Sequence, residues 1–381
     1  MKIISVIAAI ASALFFLGAS VSAMPGDPKI SAECAVVMNV ETGSVLYEKN
    51  AYTEHAMAST TKIMTALITL ESGNLDRLFT VDSMAVRVEG TSMGLKEGDI
   101  VTRRALCYGM LLPSGNDAAN AAAVNIAGSL GAFAELMNRR AAQIGMKNTR
   151  FANPSGLDAE GHYTTAYDMA LLTREALKNE EFRRICGLQY AEVEFGNPPV
   201  KHTLRNSNKL LGMYDGCIGV KTGFTDNARR CLVSAAEKNG CTLIAVTLDA
   251  PNDWDDHTKL LNDAFSGMKK YDIRLDSFAA EVVGGETGIV TIAPEKKITV
   301  GMTEEESKKI TVKYSVPEFV YAEITEGEKL GQADIYLDGR LLMKVPLTAT
   351  ESAARTEPEK GVFDWLKNIL NGGFITAFNR N

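Results

Sequence analysis

From position 57 to 73 apolar side chains fall at 57, 58, 63, 64, 66, 67, 68 and 70. On a helical period those from 63 onward wrap nearly the whole circumference, so the stretch predicts one helix buried on all sides inside a domain. Gly73 supplies the stop, because glycine enters the left-handed conformation that ends a helix. Upstream, short apolar runs at 35–39 and 44–47 flank Glu41-Thr42-Gly43 and predict a hairpin. Residues 74–101 carry only short mixed patterns, with turns at Glu89-Gly90 and Glu97-Gly98-Asp99. Thr102 is placed to cap a helix that reaches about Leu112, where Pro113 ends it. Helices follow over 118–126 and 131–144, the first of them after a polar loop, Ser114-Gly115-Asn116-Asp117. Asn153-Pro154-Ser155-Gly156 reads as a loop by composition, and Thr165-Ala166-Tyr167-Asp168 as a capping box before another helix.

From Lys201 the pattern changes to strands. Residues 219–225 are extended, and 230–235 and 242–248 alternate or run apolar, as neighbouring antiparallel strands do. A helix over 256–269 closes the region. Strands at both ends with helices between predict an α+β domain over 24–275: an antiparallel sheet with helices on both faces, plus a helical subdomain. Beyond 276, short β-branched runs recur to about 350, separated by glycine and charged residues, which predicts a small all-β sandwich. Residues 351–360 read as a linker. Over 361–381, Val362, Phe363, Trp365, Leu366, Ile369 and Leu370 share one helical face opposite Asp364, Lys367 and Asn368. A helix of about 11 residues is only ~16 Å long, too short to cross a bilayer, so a flat position in a membrane interface is expected.

Composition changes this picture in three places. At 381 residues with 46% hydrophobic and 23% charged positions, the chain has material for two globular domains. A net charge of −7 argues against nucleic acid as a partner, since phosphate binding needs a basic surface. Residues 1–23 have the order of an export signal: Lys2, an apolar run from Ile3 to Leu17, then Val21-Ser22-Ala23 before the expected cleavage. Six cysteines in an exported chain invite a disulfide reading, but Cys107 and Cys231 lie in apolar runs, and buried free thiols are the simpler account. With no Cys-x-x-Cys, no His-Glu-x-x-His and four scattered histidines, no metal or cofactor is expected.

Candidate chemistry sits at the mouth of the buried helix. Ser59 and Lys62 are three residues apart, hence on one face. A lysine at the edge of a buried helix loses solvation, which lowers its pKa; a neutral amine beside a hydroxyl is a general base beside a nucleophile. The spacing alone is weak, since Ser266-Gly267-Met268-Lys269 has it too. Weight comes from order and setting: Ser59-x-x-Lys62 at a helix start, Ser114-Gly115-Asn116 in a loop, Lys221-Thr222-Gly223 on a strand. That ordered set is the signature of penicillin-binding proteins and class A β-lactamases.

With 58–67, 111–119 and 219–225 as its motifs, the chain resembles the low-molecular-mass penicillin-binding proteins, the serine-type D-alanyl-D-alanine carboxypeptidases. The resemblance spans roughly 35–269 and implies a β-lactamase/transpeptidase-like fold; the signal peptide, β domain and terminal amphipathic helix recur in that family in this order. It implies that Ser59 attacks the D-Ala–D-Ala carbonyl, Lys62 takes its proton, and Ser114 passes a proton to the leaving D-alanine. Asn116 is then expected to hold Lys62 and the substrate amide, and Lys221 and Thr222 to bind the free carboxylate. Gly223 lets the substrate backbone lie against the strand. The backbone N–H groups of Ser59 and Phe224 form the oxyanion hole. The implied partners are peptidoglycan stem peptides ending in D-Ala-D-Ala, β-lactams and a membrane surface, at the outer face of the cytoplasmic membrane. Two positions depart from the family pattern: Met57, where proline is frequent, and Arg229, where glycine is usual. A class A β-lactamase needs a deacylating glutamate, and Glu175-Ala176-Leu177-Lys178-Asn179 only approximates its motif. A DD-endopeptidase uses the same residues, and a non-catalytic wall-binding or β-lactam-sensing protein is disfavoured by the complete set.

Overall fold

The computed structural model describes residues 28–356. The expected export signal (1–23) and amphipathic segment (361–381) lie outside the described residues. The chain divides into two units: one runs to Lys270 and also takes Val300–Glu305, the other comprises Tyr271–Thr299 and the chain from Glu306. Where the sequence suggested a single boundary at 276, the division falls at Tyr271, with that short excursion.

In the first unit five strands, β1 (Cys34–Asn39), β2 (Val45–Lys49), β3 (Cys217–Thr225), β4 (Arg229–Lys238) and β5 (Cys241–Leu248), form an antiparallel sheet in the order β2-β1-β5-β4-β3. The two ends of the domain thus share one sheet, as the strand–helix–strand pattern predicted. Its six principal helices are α1 (Lys62–Glu71), α2 (Arg103–Leu111), α3 (Asn116–Ala127), α4 (Leu130–Ile144), α5 (Ala166–Ala176) and α6 (Asp253–Ser266). Alternation along β1 splits the interior in two. Cys34, Val36 and Met38 join Ile63, Met64 and Leu67 of α1 in one core, while Ala35 and Val37 join Leu260, Leu261 and Ala264 of α6 in the other. Helices therefore cover both faces, and every residue of β1 and β5 is buried.

Several boundaries move for identifiable reasons. The stretch 57–73 is not one helix: a 3₁₀ turn over Ala58–Thr61 precedes α1. Ala58 has φ +47°, which no continuous right-handed helix accepts. The helix expected at 256–269 starts at Asp253, whose first turn carries Asp253, Asp255 and Asp256 on the positive end of the dipole. It ends at Ser266, and Lys269 lies exposed on the strand Met268–Ile273. Both expected caps form: Thr102 Oγ1 accepts from the Ala105 N–H and Thr165 Oγ1 from that of Asp168. Leu78–Thr80, Ile100–Thr102, Tyr190–Gly196 and Pro199–Arg205 make a second, four-stranded sheet. The strand Tyr190–Gly196, in which Ala191, Val193 and Phe195 alternate with Glu192 and Glu194, begins ahead of the change to strands expected at Lys201. All six cysteines are free, five of them buried.

Among its described residues the second unit is all-β apart from the short helix Glu304–Ser307, whose first two residues are counted with the first unit. Its six-stranded sheet has the order Ile310–Ser315, Lys329–Leu337, Arg340–Ala349, Ile289–Pro294, Phe278–Val283, Phe319–Tyr321. Ala333, Ile335 and Leu337 are buried at alternate positions and share the interior with Val290, Ile292 and Leu347.

Candidate active site

The 3₁₀ turn brings Ser59 to the N-terminal end of α1, against the edge strand β3. The contact is close because Gly223 has no side chain: a Cβ there would stand 3.1 Å from the Ser59 nitrogen, the Met57 carbonyl oxygen and the Ala58 Cβ. Gly223 thus lets the strand pack tightly on the nucleophile turn, a reason beyond the room for substrate expected from the sequence. Met57, in place of the family's proline, is fully buried, and its carbonyl accepts from the Thr60 hydroxyl at 2.6 Å.

Lys62, the first residue of α1, is fully buried. Its Nζ lies 2.9 Å from Ser59 Oγ, 2.6 Å from Asn116 Oδ1 and 2.5 Å from the Ser155 carbonyl oxygen. Burial, and then the positive charge of Lys221, hold its pKa well below the ordinary lysine value, with Asp117 acting the other way. A neutral amine has two N–H donors and one lone pair. Asn116 Oδ1 and the Ser155 carbonyl can only accept, so they take the two donors, and the lone pair is left for the Ser59 hydroxyl. The geometry thus sets the direction of proton flow, from Ser59 to Lys62.

Ser114 lies in the loop ahead of α3, whereas Asn116, expected in that loop, is the first residue of the helix, with Gly115 as its N-cap. Ser114 is nearly buried with φ +68°, and its carbonyl accepts from the Thr91 hydroxyl at 2.6 Å. The Asn116 side-chain amide donates to the Glu89 carbonyl at 2.7 Å, which fixes Oδ1 toward Lys62. Asp117, quoted in the sequence motif without a role, holds the segment 92–95: its carboxylate accepts from the N–H groups of Met93, Gly94 and Leu95 and from the Ser92 hydroxyl. Lys221, on β3, is buried, donates to the Thr222 carbonyl at 2.8 Å and is pushed down by burial to about 7. Thr222, Gly223 and Phe224 follow along the strand, with Phe224 exposed.

A cleft of about 440 Å³ collects these groups: Ser59, Ser114, Asn116, Thr222, Gly223 and Phe224 line it. Lys62 and Lys221 lie buried beneath. All eight residues named from the sequence meet here. The decoy Ser266 and Lys269 are not in the cleft. Glu175, the nearest match to a deacylating glutamate, gives its carboxylate to Arg140 at 2.8 Å and Lys178 at 2.7 Å. Glu33, His55 and Asp249, whose ligand-type atoms lie within 4.8 Å of one another, are not among the lining residues either.

Sequence reasoning missed two parts of the site. The first is the loop Asn153-Pro154-Ser155-Gly156-Leu157, which contributes the Ser155 carbonyl and packs on the nucleophile turn. At Gly156 (φ +88°) a Cβ would fall 2.0 Å from the Ala58 oxygen. The signal was the glycine itself, since Ser-Gly in a loop asks why glycine is needed. The second is the far wall, where Arg230 and Asp253 pair at 2.9 Å beside Trp254 and Lys209. Arg229, in the family's glycine position, has φ +55°, the region glycine enters freely. The β3–β4 register nonetheless continues through Thr225↔Arg229, so the turn survives the departure.

An α+β fold with a buried lysine hydrogen-bonded to a serine at a helix mouth, closed by an edge strand, defines a serine acyl-transfer enzyme. The family described as D-alanyl-D-alanine carboxypeptidase matches residues 21–252, and the penicillin-binding protein 5 C-terminal domain matches 277–355. D-alanyl-D-alanine carboxypeptidase DacF of Bacillus subtilis is 33% identical over 352 residues, covering 88% of this chain and 90% of that protein. A D-alanyl-D-alanine carboxypeptidase of Streptomyces sp. is 35% identical over 269 residues, 66% of this chain and 92% of the relative. Among solved structures, DacD of Francisella tularensis superposes with a TM-score of 0.63 at 28% identity over 90% of this chain and 100% of its own. The Streptomyces K15 DD-transpeptidase superposes with a TM-score of 0.61 at 35% identity over 63% of this chain and 99% of its own. The chain belongs to the D-alanyl-D-alanine carboxypeptidase family.

Proposed function

We infer that this protein is a serine-type D-Ala-D-Ala carboxypeptidase that removes the terminal D-alanine from peptidoglycan stem pentapeptides and is acylated by penicillins. Ser59 Oγ attacks the carbonyl of the D-Ala–D-Ala bond while its proton passes to the Lys62 lone pair. The oxyanion is held by the N–H groups of Ser59 and Phe224 at the positive end of α1. The C–N bond breaks, Ser114 relays a proton to the departing D-alanine amine, and water then hydrolyses the ester. Asn116 holds Lys62 and the substrate amide, and Thr222 with Lys221 receives the free carboxylate. The buried charge of Lys221 also keeps Lys62 deprotonated. The observation that carries this reading is the Lys62 Nζ, out of water, between Ser59 Oγ and two oxygens that can only accept.

Incubation with a fluorescent penicillin should label wild type and leave Ser59→Ala unlabelled; equal labelling of both refutes the nucleophile assignment. Release of free D-alanine from a pentapeptide, with a cross-linked dimer left intact, separates this activity from a DD-endopeptidase. The mature protein is proposed to act at the outer face of the cytoplasmic membrane, held peripherally by 361–381, a reading supported by the export-type N-terminus and the one-sided apolar pattern of that segment. Truncation after Thr356 should leave peptide hydrolysis intact and end co-sedimentation with liposomes; sedimentation of the truncated form would refute the anchor.

A further inference from the structure

His162 lies outside every motif. It is almost completely buried, and burial lowers its pKa to about 4, so the imidazole is neutral at working pH. Its Nδ1 accepts from the Ala152 N–H at 3.0 Å, which places the single ring proton on Nε2. Nε2 is 2.8 Å from Thr61 Oγ1, and the Thr61 hydroxyl gives its one proton to the Ala58 carbonyl at 2.8 Å. Each member has one direction open to it: Ala152 N–H to His162, His162 Nε2–H to Thr61, Thr61 O–H to Ala58. Phe151 packs against the imidazole in an edge-on arrangement at 6.1 Å, and Gly156 walls the other side of the Ala58 carbonyl.

The relay ends on the residue before the nucleophile. Ala58 holds the left-handed φ of +47°, a strained conformation for alanine, and its peptide bond to Ser59 is trans. In a trans peptide the C=O and the following N–H point in opposite directions in one rigid plane. Fixing the Ala58 oxygen therefore fixes the direction of the Ser59 N–H. We propose that His162 and Thr61 are positioning residues that aim the Ser59 N–H at the oxyanion formed during acyl transfer. They touch neither substrate nor the reacting atoms, and act through the Ala58–Ser59 peptide plane. The inference rests on the carboxypeptidase reading, in which that N–H is an oxyanion donor.

The test compares Thr61→Val, which keeps shape and removes the hydroxyl, with Thr61→Ser, and His162→Leu with His162→Gln, which restores an N–H donor. Thr61→Val and His162→Leu should slow acylation by penicillin about ten- to a hundredfold, somewhat less than outright removal of an oxyanion donor. For peptide hydrolysis kcat should fall with KM unchanged, and Thr61→Ser and His162→Gln should recover most of the rate. In the penicilloyl-enzyme, the ester carbonyl stretch of Thr61→Val should move to higher wavenumber as its hydrogen bond weakens. Wild-type acylation and an unmoved carbonyl band in Thr61→Val, with only a lower melting temperature, overturn the relay and leave the carboxypeptidase reading standing. Failure of the wild type itself to label at Ser59 overturns both.

Discussion

Strand β5 of the first unit is buried at all eight positions, whereas Lys329–Leu337 of the second buries every other residue. A strand covered on both faces belongs to a sheet enclosed by helices; an alternating one belongs to a sheet with one face to the core. The difference extends to charge. The first unit holds Lys62 and Lys221 almost wholly out of water, while the described lysines of the second unit all retain solvent exposure. Burying an ammonium is costly unless it is hydrogen-bonded or gives up its proton. The first unit does both at Lys62, and that cost is the source of its chemistry. The second unit, with no such cost, is expected to tolerate change without effect on acylation.

The sharpest contrast comes from removing the buried base. Lys62→Ala should lower the penicillin acylation rate about a thousandfold, within the range for loss of a positioned general base; a loss under tenfold would remove Lys62 from that role. Next is Gly156→Ala, which forces a Cβ onto the Ala58 carbonyl at φ +88°. It should destabilise the first unit by about 2 kcal/mol or more and slow acylation as the nucleophile turn shifts. Thermal unfolding and labelling kinetics read the two effects separately.

Lys221→Gln tests the coupling between the two buried amines. Removing the neighbouring positive charge makes the Lys62 ammonium easier to form, so the pKa of Lys62 rises. The acid limb of the acylation pH profile should therefore move to higher pH; a limb that stays in place would show that Lys221 does not act on Lys62. Smallest in catalytic effect is Ile335→Ala in the second unit. It should cost about 2–5 kcal/mol of that unit's stability by leaving a cavity, with acylation unchanged below the melting transition. A matching fall in acylation rate would break the division of labour between the units.

Much of this protein follows from its sequence alone. Order and setting of Ser59, Lys62, Ser114, Asn116 and Lys221 to Phe224 identified the chemistry, because reactive groups at fixed spacing on a helix, a loop and a strand retain their local geometry in the fold. The buried character of α1 followed from its nearly complete apolar circumference, and the antiparallel sheet from the runs at both ends. What only the tertiary structure decided concerns groups with no side-chain signature. The Ser155 carbonyl that completes the Lys62 environment is 93 residues away in the chain, and backbone oxygens look alike in any sequence. The split of 57–73 into turn and helix depends on Thr61, His162 and Gly156 enclosing the Ala58 carbonyl, contacts that close from positions about a hundred residues apart. Arg230 and Asp253 meet at the far wall because β4 and α6 converge there. Periodicity reports which face of an element is buried; the neighbour each buried atom meets is settled only when distant segments pack.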